Sequence, residues 1–381
     1  MFGIKTSTLS VSFRGRRGAT VVVIACIVAY ALRSSTKDLT RILYHSTQIE
    51  SHDACPSLRL AVVPNEESAD ICSPRGRHKW RDDLDHYFEE STERMPSFAV
   101  VCQVNSGYWD FFVNWHRHFR KNSKRTEHVL IIIAEDASIH SKLEALFDSA
   151  TSATIVLPGY DIANDHAHHN AEDYDSITYK SLVSTRATHL LNLMCILGVT
   201  GEDVVKSNGA IASKDTRKDI IIVYSDVDTV WVKDPFPYIQ KLIGKNKSYD
   251  LLAAVDDHDY WCVKDYYCTG FLVIAQSPAS ISFLSHWEKE LKYAPQLNQP
   301  IFNTVLRSSK LPKIRHSGLG EMEFPPGRLY FDQWVKEGGE SERQKKEETM
   351  VVHNNYIIGH DAKMKRFEEH GLWINKKRSN A

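Results

Sequence analysis

The 381-residue sequence has no acidic residue before Asp38, no C-x-x-C pair, and almost no net charge, −1 at neutral pH. It also has no unbroken apolar run of about 20 residues, the length a typical bilayer core asks of a helix. Each shortage excludes something. Without net charge there is no global field to gather nucleic acid or another polyanion, so no nucleic-acid partner is expected, and an anionic ligand must be held by a local site. Without paired C-x-x-C spacing a structural zinc site is not expected. Without a full-length apolar run, the one apolar segment near the N-terminus is short for a typical membrane-spanning helix. What remains, 42% apolar and 25% charged residues, is the composition of a globular chain long enough for a large core.

The acid-free N-terminus carries Lys5, Arg14, Arg16 and Arg17 ahead of a short apolar run at 19–32. A basic flank holds that end on the cytosolic side and sends the rest of the chain across the membrane. The run is short enough for a signal-peptide core, with Ala29-Tyr30-Ala31 as a small-x-small cleavage site, and it also fits a short anchor in a thin early-secretory bilayer. Both readings stand, and both place the chain in the secretory pathway. The expected organisation is a cytosolic tail (1–18), a signal anchor or signal peptide (19–32), a polar stem (33–95) and one catalytic domain (96–381). Of the seven cysteines, Cys26 lies inside the run, leaving an even six for an oxidising compartment. Cys262 and Cys268 could close a small loop or stay reduced. Asn246-Lys247-Ser248 is a glycosylation sequon, consistent with a lumenal loop.

Past residue 96 the apolar pattern becomes regular. Phe98-Ala99-Val100-Val101-Cys102, then 128–134 (HVLIIIA), 153–157 and 220–224 are short β-branched runs of buried-strand type. Between them, Tyr108, Phe111, Phe112, Trp115 and Phe119 repeat at helical spacing. So do Val183, Ala187, Leu190, Leu191, Met194 and Leu197, closed by Gly198. Strands alternating with helices predict an α/β sandwich with a mostly parallel sheet, whose ligands bind where the strand carboxyl ends open.

At one such end stands Tyr224-Ser225-Asp226-Val227-Asp228-Thr229-Val230-Trp231. In extended geometry Asp226 and Asp228 would share one side, and like charges that close repel unless a cation sits with them. Carboxylate oxygens suit Mn²⁺ or Mg²⁺ held jointly with substrate phosphates, which points to a clamp on the diphosphate of an activated donor. A second chemistry fits the same letters: D-x-D-x-V is the nucleophile motif of haloacid-dehalogenase-type phosphatases, with Asp226 attacking phosphorus. That fold opens with this strand, whereas here α/β pattern precedes it, and no G-D-x-x-x-D lies downstream.

The run from Tyr224 to Phe236 resembles the "sDvDvvWlrdP" signature of the nucleotide-diphospho-sugar transferase family, which includes plant rhamnogalacturonan xylosyltransferases and cell-wall arabinosyltransferases. Three more segments match in order. Cys268-Thr269-Gly270-Phe271-Leu272 resembles "nTGF". Asn298-Gln299-Pro300-Ile301-Phe302-Asn303 resembles "DQ…fN". Val352-His353-Asn354-Asn355-Tyr356-Ile357-Ile358-Gly359, with Lys363, Arg366, Phe367 and Gly371-Leu372-Trp373, resembles the C-terminal "vHnNwi.G…K..rf…glW".

The resemblance spans roughly 96–373. It implies a GT-A fold and transfer of a sugar from a nucleoside-diphosphate sugar to a hydroxyl of a glycan or glycoprotein, with retention at the anomeric carbon. It also implies a type II Golgi membrane protein. For the site it implies metal ligands Asp226, Asp228 and His353; donor-phosphate contacts from Lys363, Gly359 and Arg186; and substrate contacts from Asn298, Gln299, Thr269 and Gly270. Beside that resemblance, Asp256, Asp257 and Asp265 on either side of Trp261 read as solvated loop acids or, Asp257 among them, as a sugar-side carboxylate. One departure stands out: the family's "DQ" is Asn298-Gln299 here, an amide where a carboxylate is usual. A non-catalytic lumenal binding protein on the same fold is the remaining rival, disfavoured by the intact Asp226, Asp228 and His353.

Overall fold

Four strands form where the β-branched runs predicted them. The computed structural model describes residues 71–72, 80–90, 96–123, 128–147, 153–159, 176–198, 219–244, 248–256, 265–293, 298–308 and 313–374. These lie in a compact unit spanning 58–381, and the first unit, 1–57, falls outside the described residues. So do the apolar run at 19–32, Asn246 and Lys247 of the sequon, Cys262 and Asp257. Among the described residues no helix is long and apolar enough to cross a membrane.

The strands are β1 (Phe98–Val104), β2 (His128–Ala134), β3 (Thr154–Pro158), β4 (Ile221–Ser225), β5 (Thr229–Trp231), β6 (Leu251–Val255), β7 (Tyr267–Ile274), β8 (His316–Leu319) and β9 (Val351–His353). Seven of them make one sheet in the order β3-β2-β1-β4-β7-β6-β8, while β5 and β9 pair separately. All neighbours are parallel except β7, which runs against both β4 and β6. The helices are α1 (Arg81–Glu90), α2 (Trp109–Asn122), α3 (Ala137–Phe147), α4 (Ile177–Gly198), α5 (Phe236–Ile243), α6 (Pro278–Tyr293), α7 (Asn298–Leu306), α8 (Trp334–Glu337), α9 (Gly339–Glu348) and α10 (His360–Glu369), with one π-helical turn at Arg328–Gln333.

Both sheet faces are covered, which is why the strands read as continuous apolar runs rather than alternating ones. Along β1, Ala99 and Val101 join a core built with α4, α6 and α7. Phe98, Val100, Cys102 and Val104 join the opposite core, with α2, α3 and α5. The helix-spaced aromatics Phe111, Phe112, Trp115 and Phe119 of α2 are all buried there, as is the predicted α4 stripe on the other side. This is the α/β sandwich with a mostly parallel sheet that the alternating strands and helices predicted.

The expectation of an unpacked stem through Arg94 does not hold for residues 80–90. Trp80, Leu84 and Phe88 recur at i, i+4 and i+8 and enter the first core, and the Trp80 indole donates to the Pro158 carbonyl at 2.8 Å. Three apolar residues among so many charges are too sparse to read as a buried stripe. Nearby, Cys72 is disulfide-bonded to Cys195 of α4. Cys268 remains a free, buried thiol, as does Cys102, so the small Cys262–Cys268 loop does not form.

Candidate active site

At the carboxyl end of β4 the chain does not continue extended, as the spacing of Asp226 and Asp228 had suggested. It turns, and the Thr229 amide donates to the Asp226 carbonyl at 3.2 Å. Its polar side chains hold that turn. Ser225 Oγ receives the indoles of Trp115 (3.1 Å) and Trp231 (3.2 Å) and meets Thr229 Oγ1 at 2.8 Å, and Thr229 Oγ1 donates to the Asp226 carbonyl at 2.8 Å. The Ser, Thr and Trp of the motif are therefore the turn's scaffold.

After the turn, β5 pairs antiparallel with β9, and the register sets Thr229 opposite His353. That pairing brings a histidine from near the C-terminus onto the two carboxylates. His353 Nε2 lies 3.3 Å from Asp228 Oδ1 and 3.8 Å from Asp226 Oδ2. The three candidate ligand atoms fall within 4.8 Å of one another. The other oxygen of each carboxylate is already engaged. Lys363 Nζ donates to Asp228 Oδ2 at 2.5 Å, while Arg186 Nη2 (2.5 Å) and the Tyr224 hydroxyl (2.8 Å) donate to Asp226 Oδ1. One oxygen of each aspartate is pinned by a protein cation, and the other converges with an imidazole nitrogen. Two carboxylate oxygens and one nitrogen are a donor set that fits Mn²⁺ or Mg²⁺.

The same contacts shape the electrostatics. Burial would raise the Asp228 carboxyl, but Lys363 and His353 outweigh it and hold it well below the usual range. Asp226 moves the other way: burial raises it and the neighbouring Asp228 adds to that, against the pull of Arg186. For His353, burial favours the neutral ring, yet Cys268 and Asp228 leave its pKa raised well above the ordinary value. The repulsion between the two carboxylates is thus relieved chiefly by Lys363 and Arg186, before any metal is considered.

Arg186, expected to face donor phosphates, is instead buried under the motif. Besides Asp226, its guanidinium donates to the carbonyl and hydroxyl of Thr269, each at 3.0 Å, and it lies 4.7 Å from the Tyr224 ring. It positions a carboxylate. Gly270 backs the site, and its amide carbonyl accepts the Asp226 N–H at 2.8 Å. A Cβ there would come within 2.3 Å of His353 Cε1 and 2.8 Å of Asp226 Oδ2. Gly359, with φ 97°, opens α10 with nothing within 4 Å of its would-be Cβ. Its backbone is open to a ligand at the N-terminus of a helix whose first turn carries Lys363.

Asn298 is a cross-brace. Its amide donates to the Val183 carbonyl (3.1 Å), its Oδ1 accepts from Thr269 Oγ1 (3.3 Å), and its own carbonyl accepts from the Trp287 indole (3.2 Å). Gln299 is more open. Its Oε1 accepts the Thr269 amide at 3.3 Å and its Nε2 donates to Asp256 Oδ2 at 2.5 Å. Asp256, which its sequence context suggests is a solvated loop acid, is buried at the end of β6 and also receives the Tyr356 hydroxyl at 2.6 Å. Tyr356 has φ 58°, and Arg366 Nη2 donates to its carbonyl at 3.4 Å. Sequence reasoning also misses Tyr224 and Cys268. Period-two spacing could have found both, because Tyr224 shares a strand face with Asp226 and Cys268 shares one with Gly270.

The mostly parallel sheet thus brings two aspartates, a histidine and a lysine together at its carboxyl edge, beside an open helix N-terminus. Residues 212–367 match the nucleotide-diphospho-sugar transferase family. Over that range the chain resembles this family, and with the relatives below it is a nucleotide-sugar-dependent glycosyltransferase.

An Arabidopsis thaliana UDP-D-xylose:L-fucose α-1,3-D-xylosyltransferase is 26% identical over 347 residues, covering 84% of this chain and 82% of the relative. A Dictyostelium discoideum UDP-galactose:fucoside α-3-galactosyltransferase is 22% identical over 311 residues, 72% of this chain and 42% of that one. The solved apo structure of the bifunctional glycosyltransferase WbbM aligns over 74% of this chain and 52% of its own, at 11% identity and TM-score 0.45. The transferase match supports the glycosyltransferase reading over the phosphatase reading of Asp226.

Proposed function

We propose that the protein transfers a sugar from a UDP-sugar to a hydroxyl of a fucose-bearing glycan, forming an α-linkage with retention, in a divalent-cation-dependent reaction. The observation that carries the metal is the convergence of Asp226 Oδ2, Asp228 Oδ1 and His353 Nε2, with the opposite carboxylate oxygens pinned. Those three atoms would hold Mn²⁺ or Mg²⁺, which supplies charge neutralisation of the departing diphosphate. The fucose acceptor rests on the relatives: a xylosyltransferase and a galactosyltransferase that differ in donor are both named for fucose.

The chain's own residues do the remaining work. Lys363 and the free amides opening α10 receive the phosphates. Arg186 and Tyr224 hold Asp226 in place. Gln299, braced by Thr269 and Asp256, faces the sugar side. No side chain here serves as a strongly activated nucleophile, so rate acceleration comes from positioning and leaving-group stabilisation.

We further propose lumenal residence behind the segment 19–32, in the Golgi. The basic flank supports it, as does the Cys72–Cys195 disulfide, which suits an oxidising compartment. The test of function is a screen of UDP-sugars against a fucoside acceptor, with and without Mn²⁺. Transfer that is confined to a fucoside and lost on chelation supports the reading. Transfer undiminished by chelator removes the metal, and transfer only to non-fucosyl acceptors removes the acceptor assignment.

A further inference from the structure

We infer that Cys268 is a positioning residue, whose sulfur fixes the ring of His353 so that Nε2 presents a lone pair to a cation held with Asp226 and Asp228. The inference rests on the cation reading given above and deepens it.

A histidine ligates through an unprotonated nitrogen, and which nitrogen is free depends on what the other one meets. Here Nε2 faces the two carboxylates, and the atom facing Nδ1 is Cys268 Sγ, at 3.3 Å. Around that sulfur the partners are donors. The Gly270 amide points its N–H at Sγ from 3.5 Å, and the Asn355 side-chain amide does so from 3.9 Å. Amide N–H groups can only donate, so the sulfur acts as an acceptor toward both of them, and an Nδ1–H on the ring extends that pattern. With the proton on Nδ1, Nε2 is left to ligate.

Position is constrained as well as tautomer. The ring lies against Gly270, where an added Cβ would meet Cε1 at 2.3 Å and Nδ1 at 2.8 Å. Cys268 and Gly270 are two apart on β7 and form the wall on which the imidazole rests. An alanine at 268 would keep that strand and remove the acceptor. A serine would keep an acceptor.

The experiment titrates Mn²⁺ into the full-length protein in the presence of uridine diphosphate, reading free Mn²⁺ by electron paramagnetic resonance, with thermal melts alongside. Cys268→Ala is expected to weaken Mn²⁺ binding by about 10- to 100-fold, the usual effect of removing the partner that orients a ligating histidine. Cys268→Ser should stay within about threefold of wild type, on a melting curve similar to that of the alanine variant. Unchanged binding in Cys268→Ala, with binding lost in His353→Gln, overturns the role of Cys268 and leaves the metal site standing. Equal losses in the serine and alanine variants also overturn it. Unchanged binding in His353→Gln overturns the metal reading and this inference together. Should Cys268→Ala fail to fold, nitrogen-15 spectra of the wild type with Mg²⁺ and uridine diphosphate decide. A proton on Nδ1 of His353 with none on Nε2 is the expected state, and a protonated Nε2 in the loaded protein refutes it.

Discussion

Asp228→Asn separates two accounts of why this pair of carboxylates is tolerated. From spacing alone, removing one of two like charges should leave the metal-free protein as stable as before or slightly more so. The structure reverses that sign. Asp228 takes the Lys363 ammonium on Oδ2 at 2.5 Å and His353 on Oδ1 at 3.3 Å, with its side chain only 10% exposed and that of Lys363 18%. Asparagine keeps the shape but leaves a buried ammonium and a histidine without their counter-charge. Breaking a buried pair by removing one partner costs about 3–5 kcal/mol. Residual solvent access and the acceptor that asparagine retains bring this case to about 2–4 kcal/mol.

In a domain of this size, that is a fall of about 3–6 °C in melting temperature. Differential scanning calorimetry without metal or nucleotide measures it directly. Adding Lys363→Met to Asp228→Asn should recover at least half of the loss, because the orphaned cation is then gone, while transfer activity stays absent. Mn²⁺ with uridine diphosphate should raise the wild-type midpoint by mass action, about 2.7 kcal/mol at a hundredfold excess over Kd, and should not raise that of the variant. A metal-free Asp228→Asn protein that melts at or above wild type would refute the reasoning, since repulsion between the aspartates would then outweigh what Lys363 and His353 contribute.

Three further outcomes are expected. Gly270→Ala pushes a methyl to within 2.3 Å of His353 Cε1, so it should lower transfer by about 100-fold or more with a near-normal far-ultraviolet spectrum; activity within a few-fold of wild type would mean the ring moves freely. Burial, aided by Arg120, lowers His116 and His128 from 6.5 to about 4, so the folded rings stay neutral while unfolded ones protonate. Stability should therefore fall as pH drops from 7 toward 4 and level off below, by about 1–2 kcal/mol per ring at pH 5, and urea midpoints for His116→Gln and His128→Gln should show a flatter slope. Cys72→Ser, which opens the link between residue 72 and α4, should cost about 2–5 kcal/mol in denaturant unfolding, and an unchanged midpoint would show that the bridge does not restrain the unfolded chain.

The sequence by itself showed four of the strands, two helical stripes and the resemblance to a transferase family. Doubly covered strands must be continuously apolar, so β1, β2 and β4 were visible as runs, and α2 and α4 as periodic stripes. Two aspartates after a buried strand, with a histidine, glycine and lysine in order near the end, named the donor set. Only tertiary structure decided which atoms meet. The antiparallel pairing of β5 with β9 puts His353 on the aspartates, and no local pattern encodes a register between segments so far apart.

Burial was equally hidden for isolated polar residues, because sequence shows a charge but not its partner. Arg186 looked like a phosphate ligand and proves to be a brace for Asp226. Asp256 looked solvated and is buried between Gln299 and Tyr356. Trp80, Leu84 and Phe88 looked like a stem and belong to the core. In each case a side chain is held by neighbours distant in the chain, and that contact exists only once the sheet has folded.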